Sequence, residues 1–482
     1  MLNQGNLIEI KQAKQMIPFF PKQIATKGIY LYLGALAVVS IFYFRYAMSL
    51  TYIIMGIAWV VGFFLLVAHC SRKWKDIPQK KLLLYLALTA FGLRLAWVIF
   101  SYFFYIAKTG IPFEFAAADS LGYWEDGAWL STVKWSVISG YLFGNVKSLS
   151  DSGYILYLAY LYKLFGPNIF VTRIIKALWS TATVLLIYNL AKRNIGEEGG
   201  RLAAIMACFM PNLIFYCGLH LKETEMIFLM VAFLERADYL IRSRKYNVLT
   251  IATPILLALS LFTFRTVLGG AAVFSLVTAL VFTNTSIIGR GKRIMLIAWG
   301  LLAAFLLAGG TIQTEAEGLW EERDTNQANK RLSQTNSGNR WAKYATGTVM
   351  APMMFVLPFP TMIDVDEQYT QQMLSGGNYV RNFLGVFVLI AAFSAIFVTK
   401  NWRNLSLIGS FVIAYLGIIS TSGFSNSERF LLPGLPGLLI MAAYGVTLLD
   451  AKNYRFVKVW YWVVPVMAVA WAYFKLGSRG LF

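Results

Sequence analysis

The sequence predicts an all-α polytopic membrane protein, and three observations carry that prediction: the composition, the spacing of the apolar runs, and the one-sided placement of the basic clusters. Hydrophobic residues make up 58% of the 482 positions and charged residues only 14%, with a mean hydropathy of +0.60. A soluble globular chain carries about a quarter charged residues. The formal net charge is +20 and the pI near 9.7. In a soluble chain that balance would suggest nucleic acid, but here Lys and Arg sit in short clusters between apolar runs and read as topology signals, with no nucleic-acid partner implied.

Crossing about 30 Å of hydrocarbon takes roughly 20 residues, and about thirteen runs approach that length. They cover 29–44, 51–69 and 82–107, then 169–190, 202–219, 224–240, 248–264, 267–283 and 294–310, and finally 382–398, 405–420, 430–448 and 459–474. Basic clusters occur in the leader (Lys11, Lys14, Lys22, Lys27), at Arg72-Lys73-Trp74-Lys75 with Lys80-Lys81, and at Lys192-Arg193. Others follow at Arg242 to Lys245, Arg290 to Arg293, Lys400 to Arg403 and Lys452 to Lys458. With all thirteen spans in place every cluster falls on one side, which the positive-inside rule makes cytoplasmic. The amino terminus is then inside and the carboxyl terminus outside. The leader lacks a small-residue cleavage site, so no cleavable signal peptide is expected. Cys70, Cys208 and Cys217 lie within or at the ends of apolar segments and form no disulfide framework.

Two long gaps, 108–168 and 311–381, then face outward. The first contains Ala118 to Leu130, acidic where its neighbours are apolar. Read as a helix, Asp119, Tyr123 and Asp126 share one face and Leu121, Trp124 and Ala128 the other, so it is expected to lie flat at the membrane interface. An ordinary amphipathic surface helix is the plainer alternative. The apolar-aromatic run from Tyr154 to Phe165 is too short to span and is read as re-entrant or interfacial. The second gap carries a charged segment from Glu315 to Lys343 and an apolar stretch broken by Pro352, Pro358 and Pro360, which suggests a lid pressed on the bilayer. No internal repeat is visible. Residues 1–81, a leader with two spans, precede a catalytic membrane domain expected over 82–482.

From Asp151 the chain reads Ser-Gly-Tyr-Ile-Leu-Tyr-Leu-Ala-Tyr-Leu-Tyr-Lys-Leu-Phe-Gly-Pro-Asn, followed by Arg173, a span ending Tyr188-Asn-Leu-Ala-Lys-Arg, Met210-Pro211-Asn212 and Gly218-Leu-His-Leu-Lys-Glu. Late in the chain stands Glu428-Arg429-Phe-Leu-Leu-Pro433-Gly-Leu-Pro436. These stretches resemble the polytopic GT-C glycosyltransferases that use polyprenyl-phosphate-linked sugars, the superfamily of protein O-mannosyltransferases and the lipid A aminoarabinose transferase. The resemblance covers most of the chain from about Leu82 onward, through diffuse motifs. It implies sugar transfer from a polyprenyl-phosphate-linked donor to a lipid, glycan or protein acceptor at the outer face of the plasma (inner) membrane. It also implies that an acidic residue of the first outer loop acts as base, and Asp119 with Tyr123 matches that setting. The aminoarabinose transferases' Lys-Pro-Pro-Leu element is missing, and Gly153-Tyr154-Ile155 stands where many relatives have Gly-Tyr-Pro, so donor sugar and acceptor do not carry over.

A polyprenyl phosphate is a good leaving group, so this chemistry needs a base for the acceptor and a cation for the phosphate. Asp119 is the first candidate base, with Glu223 and Asp126 in reserve. Lys222, Arg265 and Arg429, each at the outer end of a span, are the candidate cations, and Arg340 and Lys343 of the second loop are placed to close over them. Taken singly, each cation reads as a snorkelling headgroup anchor; their shared outer location argues for the clamp. Arg94, near mid-span, needs a partner, and a structural ion pair or carbonyl contact is expected. Asp364-Val-Asp366 resembles the Asp-x-Asp of metal-dependent nucleotide-sugar enzymes. It is read as a solvated acidic loop, with divalent metal binding the alternative; otherwise no cofactor is implied. His69 and His220 stand alone at opposite faces. Competing readings are a flippase or transporter for a lipid-linked glycan and an O-antigen polymerase or ligase.

Overall fold

The computed structural model describes residues 18–134, 136–138, 150–243, 247–282, 359–365, 368–421 and 427–477. Arg340 and Lys343, the expected span 294–310, the basic cluster Arg290 to Arg293, Asp366, and the charged segment from Glu315 to Lys343 lie outside those residues. Among the described residues the regular structure is helical, with a single isolated antiparallel bridge between Ala47 and Ile363.

The chain opens with a helical hairpin, α1 (Lys22–Phe42) and α2 (Leu50–Lys73), joined by a short 3-10 turn at Phe44–Tyr46. Next come α3 (Gln79–Thr109) and two shorter helices, α4 (Ala118–Thr132) and α5 (Ser152–Phe165). Gly110 ends α3 in the left-handed region, at φ 79°, a conformation that costs a glycine little. α6 (Ile169–Phe209) starts on an Asn168 cap whose side chain accepts from Phe170 and Val171 N–H. It is broken at Gly196 (φ 86°, ψ 172°), which divides it into two arms. The second arm was expected to run unbroken to Leu219. It stops at Met210 because Pro211 has no N–H to donate, and the chain continues as the short α7 (Pro211–Phe215) and a 3-10 turn at Tyr216–Gly218.

That break explains Arg94. Proline at 211 orphans the Ala207 carbonyl, and the buried Arg94 guanidinium donates to it at 3.3 Å, to Cys208 O at 3.2 Å and to Ser180 Oγ at 2.6 Å. The mid-span charge is therefore held by carbonyls and a hydroxyl, as a structural contact.

α8 (Glu223–Arg242), α9 (Val248–Phe264) and α10 (Thr266–Phe282) follow, then α11 (Tyr369–Met373), α12 (Ser375–Phe393), α13 (Ser406–Thr421), α14 (Glu428–Leu431), α15 (Leu435–Thr447) and α16 (Tyr454–Gly477). Seven helical segments among the described residues are long and apolar enough to cross a membrane. They are Lys22–Phe42, Leu50–Lys73, Gln79–Thr109, Ile169–Phe209, Ser375–Val398, Glu428–Thr447 and Tyr454–Gly477, with α9, α10 and α13 shorter but apolar. The molecule is a multi-pass helical membrane protein. α15 is buried along its whole length and packs on α12 and α6. Gly445 allows the close approach to α12: a Cβ there would fall 1.9 Å from Phe387 O.

The side of α4 that the protein itself buries is not the one carrying Leu121, Trp124 and Ala128. Ser120, Tyr123, Gly127 and Leu130 are buried instead, against α5. The reason is Gly127, where a Cβ would sit 2.9 Å from the Leu158 Cβ, so α5 closes on that face and takes Tyr123 into the bundle. Asp126, at the border of that face, is exposed. α5, at 14 residues, is too short to span, as its sequence implied.

Candidate functional site

Five loops and helix starts, far apart in sequence, meet at one end of the bundle, and each contributes a charge. Asp119 lies in the first turn of α4, Asp151 caps α5, Glu223 opens α8 just after Lys222, Arg265 sits between α9 and α10, and Arg429 is in α14. The three carboxylates thus lie at helix N-termini, where the backbone N–H groups favour negative charge.

Arg429 is the hub. Its Nη1 bonds Asp119 Oδ2 and its Nε bonds Glu223 Oε1. Arg265 approaches the same Glu223 oxygen at 3.5 Å, donates to the Tyr415 hydroxyl at 3.2 Å, and lies 4.5 Å from the centre of the Phe430 ring. Lys222 Nζ pairs with Asp151 Oδ1 and donates to Phe264 O at 2.6 Å. Tyr123 donates to the other Asp151 oxygen at 3.1 Å and meets Tyr154 edge-on. Lys222, Arg265 and Arg429 are therefore matched one for one by Asp119, Asp151 and Glu223. Glu223 is wholly enclosed, while 59% of the Asp119 side chain remains accessible. Burial, reinforced by Arg265, pulls the Lys222 ammonium down to about 7. The Glu223 carboxylate works the other way. Burial pushes the Tyr123 hydroxyl up to about 12, so it stays a donor.

Beside the cluster opens a cavity of about 290 Å³. Asp119 and Arg429 form its charged edge; Glu114, Glu428, Gln368 and Gln371 supply much of its polar lining. The buried Glu428 accepts from Asn212 Nδ2 at 2.8 Å and Asn378 Nδ2 at 2.9 Å. Ser120 donates to Glu114. Behind the cavity a second buried layer holds the Lys176–Glu225 pair, at 3.1 Å, and His220 against the Tyr162 hydroxyl at 3.0 Å.

Of the candidate residues, Asp119, Glu223, Tyr123, Lys222, Arg265 and Arg429 come together. Asp126 does not, because α4 turns it away. Asp151, Glu428, Gln368 and Gln371 were not singled out. Asp151 and Glu428 stand inside the quoted motifs, and their position next to predicted helix starts was the available signal; nothing in the sequence marked the two glutamines. Asp364 is not a freely solvated acid, since it accepts from Gln372 Nε2 at 2.9 Å and its N–H is bonded to Tyr46 O. Among the described residues no three His, Cys, Asp or Glu side chains gather to hold a metal ion.

Residues 153–236 match the family model of dolichyl-phosphate-mannose-protein mannosyltransferase. That segment runs from α5 through the Gly196 break to the latter half of α8 and carries Lys222 and Glu223. No curated protein matches the chain. Among solved structures it is similar to the archaeal oligosaccharyltransferase AglB from Archaeoglobus fulgidus in complex with an inhibitory peptide and a dolichol-phosphate. The identity is 11% and the TM-score 0.45, over 84% of this chain and 56% of that one. An Archaeoglobus fulgidus oligosaccharyltransferase in complex with Zn and sulfate gives 12% identity and a TM-score of 0.41, over 83% and 53%. The chain thus spans about half the length of these structures, and at those scores neither bears on its function. The family match supports what the chain's own motifs imply: a multi-pass membrane glycosyltransferase of the GT-C superfamily.

Proposed function

We propose that the protein transfers a sugar from a polyprenyl-phosphate-linked donor to an acceptor at the outer face of the plasma membrane, with Asp119 as base and Arg429, Lys222 and Arg265 as the phosphate clamp. The observation that supports this best is the hold of one guanidinium, Arg429, on both an accessible carboxylate and a buried one at the edge of a polar cavity.

In the resting cluster Asp119 is occupied by Arg429 and is a poor base. A donor phosphate reaching the cluster competes for Arg429, and charge-assisted bonds to a phosphate are at least as strong as those to a carboxylate. Glu223, enclosed by Arg265 and Arg429, keeps the guanidinium in place through this exchange. Asp119 is then released to take the acceptor's proton as the acceptor oxygen or nitrogen attacks the anomeric carbon. The bond from that carbon to the phosphate oxygen breaks with its electron pair leaving on the phosphate. Lys222 and Arg265 hold the growing negative charge. Polyprenyl phosphate departs, Asp119 passes its proton to water, and Arg429 returns to the carboxylate.

The test is a reconstituted assay with a panel of polyprenyl phosphate and polyprenyl diphosphate sugars, scoring released lipid phosphate. A single base contributes on the order of 10²- to 10⁴-fold. Asp119→Asn should bind donor at least as tightly as the wild type and lose turnover on that scale. Turnover near the wild-type rate would remove Asp119 from the role of base and turn attention to Glu223. Donor crossing the bilayer with no lipid phosphate released would favour a flippase.

A further inference from the structure

The hairpin α1–α2 precedes the region of family resemblance; it packs on α6, α12 and α16, and its turn and α2 also reach one further segment. That segment, residues 359–365 and 368–374, supplies Gln368, Thr370 and Gln371 to the cavity. Asp364 N–H donates to Tyr46 O at 2.7 Å, and Ala47 bridges Ile363 at the turn of the hairpin. Trp59 of α2 donates its indole N–H to Met373 O at 3.2 Å. The Tyr369 ring lies 6.2 Å from Tyr52 of α2 and 5.2 Å from Phe115, another cavity residue. The backbones touch where α12 begins, since a Cβ on Gly376 would fall 2.3 Å from Gly56 O. From the far side, Lys475 of α16 reaches Gln368 Oε1 at 2.8 Å and Gln371 Oε1 at 3.0 Å. A lysine only donates, so it fixes both amides with oxygens toward itself and leaves their NH₂ groups as the donors these side chains offer a ligand.

We propose that the α1–α2 hairpin is a positioning device for the active site: through Tyr46, Ala47, Tyr52 and Trp59 it sets the cavity wall that carries Gln368 and Gln371, and so governs substrate affinity. A hairpin serving only as a membrane anchor has no need of contacts at its outer turn with a segment more than 300 residues away. The wall, for its part, has little regular structure of its own beyond the five residues of α11, and short irregular segments keep one conformation only when their surroundings hold them.

The inference rests on the glycosyl-transfer reading, and the experiment separates the two. Trp59→Phe keeps an aromatic ring, though a smaller one, and deletes the hydrogen bond to Met373. In the full-length purified protein it should raise the donor KM on the order of fivefold, the scale of one lost hydrogen bond, with kcat little changed. In a Gln371→Ala background the same substitution should have a much smaller effect, because coupled residues are non-additive. A second variant guards against a simple folding defect. The Ala47–Ile363 pair is antiparallel, with Cα atoms about 4.5–5.5 Å apart, inside the range a disulfide accepts. Oxidised Ala47→Cys/Ile363→Cys should restore the KM of Trp59→Phe. Amide exchange over 359–374 should quicken in Trp59→Phe and slow again on cross-linking. An unchanged KM with unchanged exchange, strictly multiplicative effects of Trp59→Phe and Gln371→Ala, or a formed cross-link that rescues nothing would each overturn the proposal. Should the wild type turn over no polyprenyl phosphate sugar, the functional reading fails by itself, and the exchange measurement still decides whether the hairpin holds the wall.

Discussion

The molecule carries a charged network at each end of α8, and the two are built differently. At the Arg193 end, Arg193 bonds Asp238 and Glu235 at 2.7 Å each, and Arg242 bonds Asp238 at 2.8 Å and Asn194 at 2.9 Å. Those side-chain partners all come from α6 and α8, with one further bond from Arg242 to Asn404 O at 3.3 Å, and both carboxylates are under 5% accessible. At the Arg429 end the partners come from five separate stretches of chain, and Asp119 remains largely open beside a cavity. The first arrangement ties two neighbouring helices together. The second gathers charge where a ligand can reach it, and a folding advantage alone does not call for that, because ion pairs open to water contribute little.

Exchanging the hub arginine at each end tests that distinction. Arg429→Gln should cut turnover on the order of a hundredfold, the scale of one lost charge-stabilising donor. Arg193→Gln should leave turnover per folded molecule unchanged and instead cost about 1–3 kcal/mol of stability, because it strips charge from two buried carboxylates while part of its own side chain is in solvent. Rates from the assay and unfolding midpoints in detergent check both. A loss of turnover in Arg193→Gln comparable to that in Arg429→Gln would erase the contrast.

Acidity sharpens the comparison within the site. Lys222 loses its proton near pH 7 rather than at its ordinary value because burial and Arg265 disfavour the charge. A clamp that needs the ammonium should lose kcat/KM as pH rises through that value, approaching tenfold per unit, the limiting slope of a single titration. Lys222→Arg should move the descending limb to higher pH, because a guanidinium keeps its proton. A profile flat from pH 6 to 9 in the wild type would take Lys222 out of the clamp. The smallest effect belongs to Asp126→Asn. Exposed and turned from the cavity, it should change turnover less than about twofold, the range of surface substitutions. A loss like that of Asp119→Asn would mean that α4 sits differently in the working enzyme.

Two exposed positions check the orientation that the basic clusters imply. A cysteine at Glu125, exposed on α4, should react with an impermeant thiol reagent from outside intact cells, and one at Asp76, exposed beyond α2, should not. Labelling at Asp76 alone would invert the topology and with it the side on which transfer occurs.

Much was legible from residue order because it depends on local properties. A run of apolar side chains long enough to cross hydrocarbon must become a helix there, since nothing else satisfies its backbone. That is why the spans at 51–69, 82–107 and 459–474 appear as α2, α3 and α16. Lys222, Glu223, Arg265 and Arg429 were legible as well, because a Lys, Arg or Glu at a span end stands out against its surroundings, whereas Asp151 and Glu428 were not. What the sequence could not decide was which way side chains turn and what they meet. Tyr123 and Asp126 are three residues apart and share a helical face by spacing, yet one is buried and the other exposed, because the small Gly127 lets α5 close on one side of α4. Pro211 announced a broken helix, but only packing showed that Arg94, more than a hundred residues earlier, would take up the carbonyls at the break. The pairing of Arg429 with both Asp119 and Glu223, and the reach of the first hairpin to Met373 and Ile363, are contacts across more than 200 residues and, for all but the Glu223 pair, more than 300. Residue spacing carries helix and span; only the way the helices close on one another brings such distant side chains within bonding distance.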